Sequence, residues 1–408
     1  MRILLVNKFI FPKGGAETYT FDVGKMLEEH GHEVQYFGLE NEKNTVGNRI
    51  GSYVTNMDFS QGIKANLNAP FRIIYSREAR KKIRAVLDDF QPDVVHLNNI
   101  QYHLTPSIIL EINKWRKETK KECKIVYTTH DYQLVCPSHG MFDVNMKPCE
   151  LCLDGHYIHC FQTKCLKNSR AKSLLGTLDG YMWKYSKAYS YVDAYICCSY
   201  FLKSKLDTQK RFRNKTIGLH NFKKEMPHLD NIQKKGYVLE FGHLSRDKGT
   251  DTLLEVAKKM PNTEFVFIGY GPSADKMKDI PNVNYLGFKT GEELYRIIAE
   301  AAISVCPSEQ YENCPYSVIE SVLLGTPVVG SKMGGIPELI EPGKTGELFE
   351  AGNVEDLMKA IKKVLQTQDV LERYTKNCSQ VKYETTESYY IKLMKIYRGE
   401  KNVEQISS

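Results

Sequence analysis

The sequence predicts an α/β protein built from two doubly wound domains, and three observations lead to this prediction. The chain has 408 residues, which is too long for one ordinary hydrophobic core. Short β-rich segments alternate with helical segments, as they do in parallel sheets covered by helices. A pattern of strand, glycine-bearing loop and helix begins at residue 2 and begins again near residue 236. We therefore expect two domains that face one another across a cleft.

The first half of the chain contains six segments with the character of parallel strands. Each is short and β-rich, and several end in polar residues, as strands do when their carboxyl ends face a cleft. The segments are RILLVNKF, EVQYFGL, PDVVHLNN, KIVYTTHDY, VDAYICCS and KTIGLHNF. This half predicts an N-terminal domain over residues 1–222.

The second half begins after a polar stretch, KKEMPHLDNIQKK, which lacks periodicity and reads as a linker. The strand pattern then restarts with GYVLEFGHL, TEFVFIGYG, VNYLGF, AISVCPS and TPVVGSK. This half predicts a C-terminal domain over residues 223–386, followed by a helix and tail at 387–408. Four strands are followed by glycine turns, but none has the three spaced glycines of a dinucleotide fingerprint, which argues against a dehydrogenase.

Composition is that of a soluble globular protein, with 42% hydrophobic and 26% charged residues. No segment has the length and hydropathy of a transmembrane helix, and the first residues do not resemble a signal peptide. We therefore expect a cytoplasmic protein.

The net charge of +7 is concentrated in three basic segments of the first half, residues 76–90, 106–124 and 164–176. Basic amphipathic segments of this kind suit an anionic membrane surface. Solvated outer helices of an α/β fold have the same pattern, so both interpretations stay open. Nucleic-acid binding is disfavoured because no recognised motif accompanies the charge.

A cysteine-rich insert spans about residues 136–165 and holds five of the eleven cysteines: Cys136, Cys149, Cys152, Cys160 and Cys165. The CELC pair has the spacing of a metal knuckle, so four of the five thiolates could hold a structural zinc ion. Ordinary reduced cysteines and an iron–sulfur cluster are the alternatives.

The stretch EQYENCPYSVIESVLLGTPVVG carries two carboxylates whose partners need explaining. Pro315 favours a helix start and Gly325 a helix stop, so Glu312 falls in a loop and Glu320 inside a mostly apolar helix. A charge in such a helix needs a partner that offsets its desolvation, and a bound ligand is one candidate. A solvated helix face is the alternative.

With these residues the chain resembles a retaining glycosyltransferase of the GT-B fold, and specifically family four of that enzyme class. The two glutamates, the following G-x-P-V-V and the motif GGIPE match that family, and the resemblance runs from KGGAE to KIYRG. It implies two Rossmann-like domains and a C-terminal helix that crosses back to the N-terminal domain. It also implies transfer of a sugar from a nucleotide sugar.

In the C-terminal domain the resemblance implies these roles. Glu312 contacts the donor sugar, and Glu320 binds the ribose of the nucleotide. The N–H groups of Tyr316 and Ser317 meet the diphosphate, and Lys248 neutralises it as it leaves.

Other positions are implied less directly. Gly15 lets the backbone approach the donor, and His130 corresponds to a histidine near the reacting carbon, although a structural histidine is the alternative. His243 follows Gly242 where relatives usually have arginine, so the missing charge is absent or comes from Arg246.

The resemblance implies a UDP-sugar donor, a saccharide or lipid-linked acceptor, and a role in cell-surface polysaccharide or glycolipid synthesis. Catalysis would need no cofactor and no metal, because lysine and helix N-termini can stabilise the departing diphosphate. A glycoside hydrolase with paired carboxylates and a non-catalytic sugar-nucleotide sensor are the alternatives.

Overall fold

A computed structural model describes residues 1–56, 69–224 and 226–400, and of the side chains at 69–71 nothing is described. The chain divides into two compact units. Unit 1 consists of Met1–Val144, Cys149–Leu219 and Thr386–Ser408, and unit 2 of Asn145–Pro148 and His220–Thr385.

The sheet of unit 1 has six parallel strands: Arg2–Val6 (β1), Glu33–Phe37 (β2), Val94–Leu97 (β3), Lys124–Thr129 (β4), Ala194–Cys197 (β5) and Thr216–Gly218 (β6). Their order in the sheet is β2-β1-β3-β4-β5-β6. Ile3 of β1 pairs with Val34 of β2 on one side and with Val94 of β3 on the other.

Helices follow most of these strands and bury their apolar sides. In the third helix, Ser76 caps the first turn by accepting from the N–H of Ala79 at 3.1 Å, and Ile83, Leu87 and Phe90 are buried. The helices before the linker are Gly15–Glu29 (α1), Ala69–Ile74 (α2), Arg77–Phe90 (α3), Ser107–Thr119 (α4), Ile158–Thr163 (α5), Arg170–Tyr185 (α6) and Tyr200–Leu206 (α7).

Unit 2 has a second parallel sheet of six strands in the order β12-β11-β10-β7-β8-β9. The strands are Val238–His243 (β7), Phe265–Tyr270 (β8), Val283–Tyr285 (β9), Ile303–Cys306 (β10), Val328–Ser331 (β11) and Gly346–Phe349 (β12). Sequence analysis missed β12, an edge strand of only four residues.

The helices of unit 2 show how local sequence sets their ends. In the fifth of them, Asn353 caps the start by accepting from the N–H of Asp356 at 3.1 Å, and two lysines occupy the last turn. The helices are Thr250–Lys259 (α8), Gly291–Glu300 (α9), Tyr316–Leu323 (α10), Ile336–Leu339 (α11), Val354–Val364 (α12) and Gln368–Cys378 (α13).

The last helix, Thr386–Arg398 (α14), returns to unit 1. The hydroxyl groups of Tyr389 and Tyr19 lie 2.6 Å apart, and that of Tyr397 lies 2.7 Å from Nδ1 of His96. All four side chains are buried. The predicted GT-B architecture, two Rossmann-like domains with a C-terminal helix on the first, is confirmed.

The basic segment 164–176 contains a turn before α6, because Lys164, Lys167 and Asn168 have positive φ angles and Ser169 caps the helix. Across the three described ranges, no helix combines the length and apolar character that crossing a bilayer requires.

Candidate functional site

The candidate site of unit 2 begins where β7 ends. The chain leaves the sheet after His243, forms one turn of 3-10 helix over Arg246–Lys248 and enters α8. Gly249 connects the two helices with φ +79°, and a Cβ there would lie 1.9 Å from the carbonyl oxygen of Pro307. Glycine permits this approach, which brings the loop of Lys248 against the loop after β10.

Lys248 and Glu312 form an ion pair in this position. Nζ of Lys248 donates to Oε1 of Glu312 at 2.5 Å, and Oγ of Ser308 donates to the same oxygen at 2.9 Å. Burial acts to lower the pKa of Lys248, but the Glu312 carboxylate outweighs it and the pKa is raised. The lysine is therefore held as a cation in a fixed position.

The GGIPE motif fixes the backbone of Glu312. The N–H of Gly335 donates to the carbonyl oxygen of Glu312 at 2.7 Å. Gly334 has φ +64°, and a Cβ there would lie 2.0 Å from the same oxygen. Glu338, the last residue of the motif, bonds Nε2 of His220 at 2.7 Å. The two motifs that sequence analysis singled out are therefore in direct contact.

Glu320 lies in the second turn of α10 and has a cationic partner. Nζ of Lys223 lies 2.6 Å from its Oε1, and each side chain is 13% exposed. The same Nζ lies 5.3 Å from the ring centroid of Tyr316. Sequence analysis assigned Lys223 to the linker and missed it. The available signal was its position directly after a predicted strand.

The N-terminus of α10 lies between these two glutamates in sequence. Pro315 is the N-cap residue with φ −67°, and Tyr316 and Ser317 are the first two helical residues. The first N–H groups of an α-helix have no acceptor within the helix and carry partial positive charge. Because proline has no N–H, Tyr316 and Ser317 supply the first backbone donors.

Two buried polar atoms near the end of β7 have no hydrogen-bond partner in the described part of the chain, Oε2 of Glu240 and Oγ of Ser245. Oε1 of Glu240 accepts from Oγ1 of Thr250 at 2.8 Å. Burial raises the pKa of Glu240 to about 8. This carboxyl group is therefore mostly protonated at neutral pH and adds little negative charge beneath the loop.

His243 and Arg246 have different surroundings from Lys248. The exposed His243 ring contacts Tyr270 edge-on, with centroids 5.5 Å apart. Arg246 and Asp251 line a cavity of about 310 Å³, to which Lys248 does not contribute. A role for Arg246 in replacing the missing arginine stays a prediction.

In unit 1, the loop after β1 combines glycines with two lysines. Gly14 and Gly15 are exposed, and Gly15 is the first residue of α1. Burial, and then the charge of Lys13, lowers the pKa of Lys8 to about 8. Sequence analysis did not single out either lysine. Exposed backbone N–H groups and cations together suit an anion.

His130 directly follows β4. Its Nε2 lies 2.9 Å from Oδ1 of Asn98, its Nδ1 lies 3.8 Å from Sγ of Cys198, and its ring contacts Tyr19 at 4.9 Å between centroids. Burial lowers the pKa of His130 to about 4. The ring is therefore neutral at physiological pH and can exchange hydrogen bonds but not act as a cation.

The five cysteines of the insert line one cavity of unit 1 with a volume of about 10 Å³. Sγ of Cys165 lies 3.0 Å from Sγ of Cys160, and Sγ of Cys160 lies 3.7 Å from the carbonyl oxygen of Ser173. As these side chains stand, no three His, Cys, Asp or Glu residues of the described ranges form a group that could hold a metal ion. The five thiols line one cavity, but they do not form a complete coordination sphere for a metal ion.

Chemically, unit 2 presents a fixed lysine, a helix N-terminus and two oriented carboxylates near the carboxyl ends of its strands. Positive groups in such an arrangement stabilise phosphate, and carboxylates accept from sugar hydroxyl groups. Gly15 and His130 belong to unit 1, where they follow β1 and β4.

Two family models match the chain. The model described as "Glycosyltransferase Family 4" matches residues 13–221, just over half of the chain. The model described as "Glycosyl transferases group 1" matches residues 221–381, which include every candidate site residue of unit 2.

Individual proteins give the same result. A Klebsiella pneumoniae "uncharacterized 42.6 kDa protein in cps region" is 24% identical over 361 residues, which cover 83% of this chain and 87% of that protein. The amylovoran biosynthesis glycosyltransferase AmsK of Erwinia amylovora is 28% identical over 166 residues, 37% of this chain and 41% of that protein. The structure of Anabaena HepE in complex with UDP has a TM-score of 0.65 at 16% identity, covering 98% and 100% of the two chains.

Proposed function

Because this chain belongs to the family 4, group 1 glycosyltransferases and is a glycosyltransferase, we propose that it transfers a sugar from a UDP-sugar to a saccharide or lipid-linked saccharide. The observation that carries the proposal is the Lys248–Glu312 pair in the loops after β7 and β10. The UDP complex of HepE, a protein of the same fold, supports UDP as the nucleotide.

Each residue of unit 2 has a proposed part. Lys248 and the N–H groups of Tyr316 and Ser317 bind the diphosphate, and Glu312 orients the sugar through its hydroxyl groups. Lys223 fixes Oε1 of Glu320, and Oε2 accepts from a ribose hydroxyl. The protonated Glu240 beneath the loop avoids repelling the phosphates.

The proposed reaction follows the movement of charge. As the bond between the anomeric carbon and the diphosphate oxygen breaks, negative charge grows on the diphosphate, and the fixed lysine and helix N-terminus stabilise it. We propose that these groups suffice without a metal ion. The acceptor oxygen bonds to the anomeric carbon from the side that the diphosphate leaves, and its proton passes to the departing diphosphate, so the anomeric configuration is retained. His130 forms a hydrogen bond with a hydroxyl group of the sugar. Gly15 has no side chain and lets the donor approach the backbone of the unit 1 loop.

The acceptor and the compartment are proposed from weaker support. AmsK by its name acts in amylovoran biosynthesis, and the Klebsiella relative is named for a cps region, which support cell-surface polysaccharide or glycolipid synthesis. All eleven cysteines are free thiols, which suits a cytoplasmic location. We propose action there, at the inner face of the membrane when the acceptor carries a lipid.

We also propose a structural zinc ion bound by four of the five insert cysteines. Their convergence on one cavity supports it, because residues 130–157 contain no helix or strand and a segment of this length gains order from a cross-link. A structural zinc ion takes four such ligands in a tetrahedron, and four of these five thiolates would supply them. Its role is to stabilise the insert, not to catalyse transfer.

The proposed transfer is tested by incubating the protein with a panel of nucleotide sugars and saccharide acceptors. We expect UDP release that depends on the acceptor, with the product linkage retaining the donor configuration by NMR. Sugar release from a glycoside without a nucleotide would indicate a hydrolase. Tight UDP binding with no turnover on any acceptor of the panel would indicate a sensor, and either result would contradict the proposal.

A further inference from the structure

The helix α6 packs on unit 1 through three small residues and one tryptophan. Its buried residues are Ser173, Gly176, Thr177 and Trp183. Oγ1 of Thr177 donates to the carbonyl oxygen of Tyr157 at 3.1 Å. Apart from Trp183, the large apolar residues of α6 are not buried, whereas an ordinary surface helix buries most of them.

Two close approaches fix the rotation of α6 about its axis. A Cβ on Gly176 would lie 2.4 Å from Cδ1 of Leu166, and a Cβ on Gly180 would lie 2.8 Å from the ring of Tyr157. Only a side without bulky groups can face these residues. Leu174, Leu178, Met182 and Tyr185 are consequently directed away from this contact, although Trp183 is buried.

The opposite side carries four large apolar side chains, which we call the α6 apolar face. Their exposed fractions are 44% for Leu174, 51% for Leu178, 37% for Met182 and 71% for Tyr185. At 3.6 residues per turn these positions fall within about 80° of one another. They form one continuous stripe along the helix, and no described residue covers it.

Further exposed apolar residues come from the neighbouring cysteine insert. Leu151 and Ile158 are 51% and 40% exposed, and α5, which begins with Ile158, packs on α6. A stripe of exposed apolar residues such as the α6 apolar face marks an interaction site more often than isolated residues do.

The α6 apolar face has unpaired cations at its two ends. Five basic residues precede, begin or follow the helix and form no ion pair within the described ranges: Lys164, Lys167, Arg170, Lys172 and Lys187. No Asp or Glu lies in residues 155–178, so this positive charge is not neutralised locally in sequence.

Two arginines of the basic segment of α3 differ from the cations of α6, because each has acidic partners. Arg80 pairs with Glu111 at 2.5 Å, and Arg84 pairs with Glu118 at 2.6 Å and with Asp88 at 2.9 Å. These two arginines are already neutralised within unit 1, whereas the five cations at the ends of α6 have no such partner among the described residues.

We propose that the α6 apolar face inserts into the surface of a membrane that contains anionic lipids, with the cations of its ends against the lipid phosphates. An amphipathic helix that lies in the interface buries its apolar side in the acyl boundary while basic residues meet the headgroups. Each suitably placed Lys or Arg adds about 1 kcal/mol of attraction. This binding does not depend on which sugar the enzyme transfers.

The test uses the full chain and vesicles of phosphatidylcholine with or without phosphatidylglycerol. Wild type should sediment with the anionic vesicles, and less so as salt is added. The double variant Leu178→Gln/Met182→Gln should bind at least about tenfold more weakly, since two apolar groups no longer enter the lipid. The matched control Ile50→Gln/Ile391→Gln removes two apolar residues of similar exposure and should bind like wild type.

The charges are tested separately. Lys167→Gln/Arg170→Gln/Lys172→Gln should weaken binding to anionic vesicles by about tenfold or more. Lys81→Gln/Lys82→Gln removes the exposed Lys81 and the half-buried Lys82 of α3. This variant should weaken vesicle binding less than the triple variant does. In a Tyr185→Trp variant, brominated lipid should quench the fluorescence of the new tryptophan. Quenching reports insertion of the side chain into the lipid and not only attraction to its surface.

Three results would overturn the proposal. The first is equal, negligible sedimentation of wild type with both kinds of vesicle at low salt. The second is wild-type binding by both the apolar and the charge variants. The third is light scattering showing a dimer that the apolar variant dissociates, without any vesicle binding. UDP affinity, measured on each variant in solution, should stay at the wild-type value, so failure of the transferase proposal is distinguishable from failure of this one.

Discussion

The two units use the same plan of strand, glycine loop and helix, but they hold charge in different ways. In unit 2, Lys248 and Lys223 are each paired with a glutamate, and the pairs fix both partners before any ligand binds. In unit 1, Lys8 and Lys13 lie beside exposed glycines, and Lys13 lowers the pKa of Lys8. The unit 2 site is thus preorganised by compensated charges, whereas the unit 1 loop has positive charges that repel each other.

The units also differ in what stabilises their irregular segments. The loops of unit 2 are fixed by short motifs in direct contact, as the GGIPE turn is with Glu312. The insert of unit 1 has few regular elements and is organised around five thiols. With the proposed zinc ion, the insert would have a metal cross-link where the unit 2 loops have these motif contacts.

Removing the proposed zinc should give the largest effect. Elemental analysis of untagged protein should find approximately one zinc per chain, and Cys149→Ser/Cys152→Ser should lose it. Because binding energy of structural zinc is folding energy, of order 10 kcal/mol in small domains, the insert should become protease-sensitive. Cys314→Ser, in unit 2, is the matched control and should keep the metal. Wild-type protein without stoichiometric metal would remove this prediction.

The next effect concerns the ion pair of unit 2. Glu312→Gln should lower the rate of sugar transfer by about 10²–10³-fold, because a group that orients the reacting sugar is lost, while UDP affinity changes little. Steady-state kinetics and calorimetry measure the two quantities. Glu300→Gln alters another carboxylate paired with a lysine, Lys235, and should leave both unchanged. A large loss of UDP affinity in Glu312→Gln with unaltered transfer would reverse the assigned roles.

The free energy of unfolding should depend on pH in opposite directions in the two units. Glu240 has a folded pKa of about 8 against an ordinary 4.5, so only the unfolded state loses its proton between these values, and stability falls as pH rises. His130 has a folded pKa of about 4 against 6.5, so stability falls as pH drops between these values. The slope in each window is about 1 kcal/mol per pH unit.

Urea unfolding, followed by hydrogen exchange in each unit, measures how the free energy of unfolding changes with pH. Glu240→Gln should stabilise unit 2 at pH 8 and make its free energy of unfolding less dependent on pH, while the hydrogen bond to Thr250 is preserved. His130→Asn should reduce the loss of stability at acidic pH in unit 1 only. Unchanged slopes in both variants would contradict the assignment.

The smallest effect is expected on nucleotide affinity. Lys248→Ala and Glu320→Ala should each weaken UDP binding by about 10–100-fold, the usual value of a hydrogen bond to a charged group. Lys223→Ala should act like Glu320→Ala, since it releases the carboxylate. Calorimetry with UDP provides the measurement, and wild-type affinity in both Lys248→Ala and Glu320→Ala would refute the assignment of the nucleotide site.

Much of this architecture could be read from sequence because parallel strands flanked by glycine turns are a strong local pattern. β12 could not, because its four residues, GELF, carry too little pattern to distinguish a strand from a loop. Candidate site residues within one motif could be proposed from sequence, but Lys223 could not, since its contact with Glu320 spans 97 positions of the chain. The orientation of α6 depends on Leu166 and Tyr157 meeting its glycines, and periodicity alone would have placed the large residues inside.

The return of α14 to unit 1 has a consequence for biosynthesis. Unit 1 contains residues on both sides of His220–Thr385, so on the ribosome its sheet emerges before unit 2 but the buried Tyr389 and Tyr397 emerge after it. Unit 2, which is nearly continuous in sequence, can complete its core while unit 1 still lacks a helix. Nascent chains released just before α14 should therefore hold a folded unit 2 and an unfinished unit 1, so unit 1 becomes complete only when α14 is made.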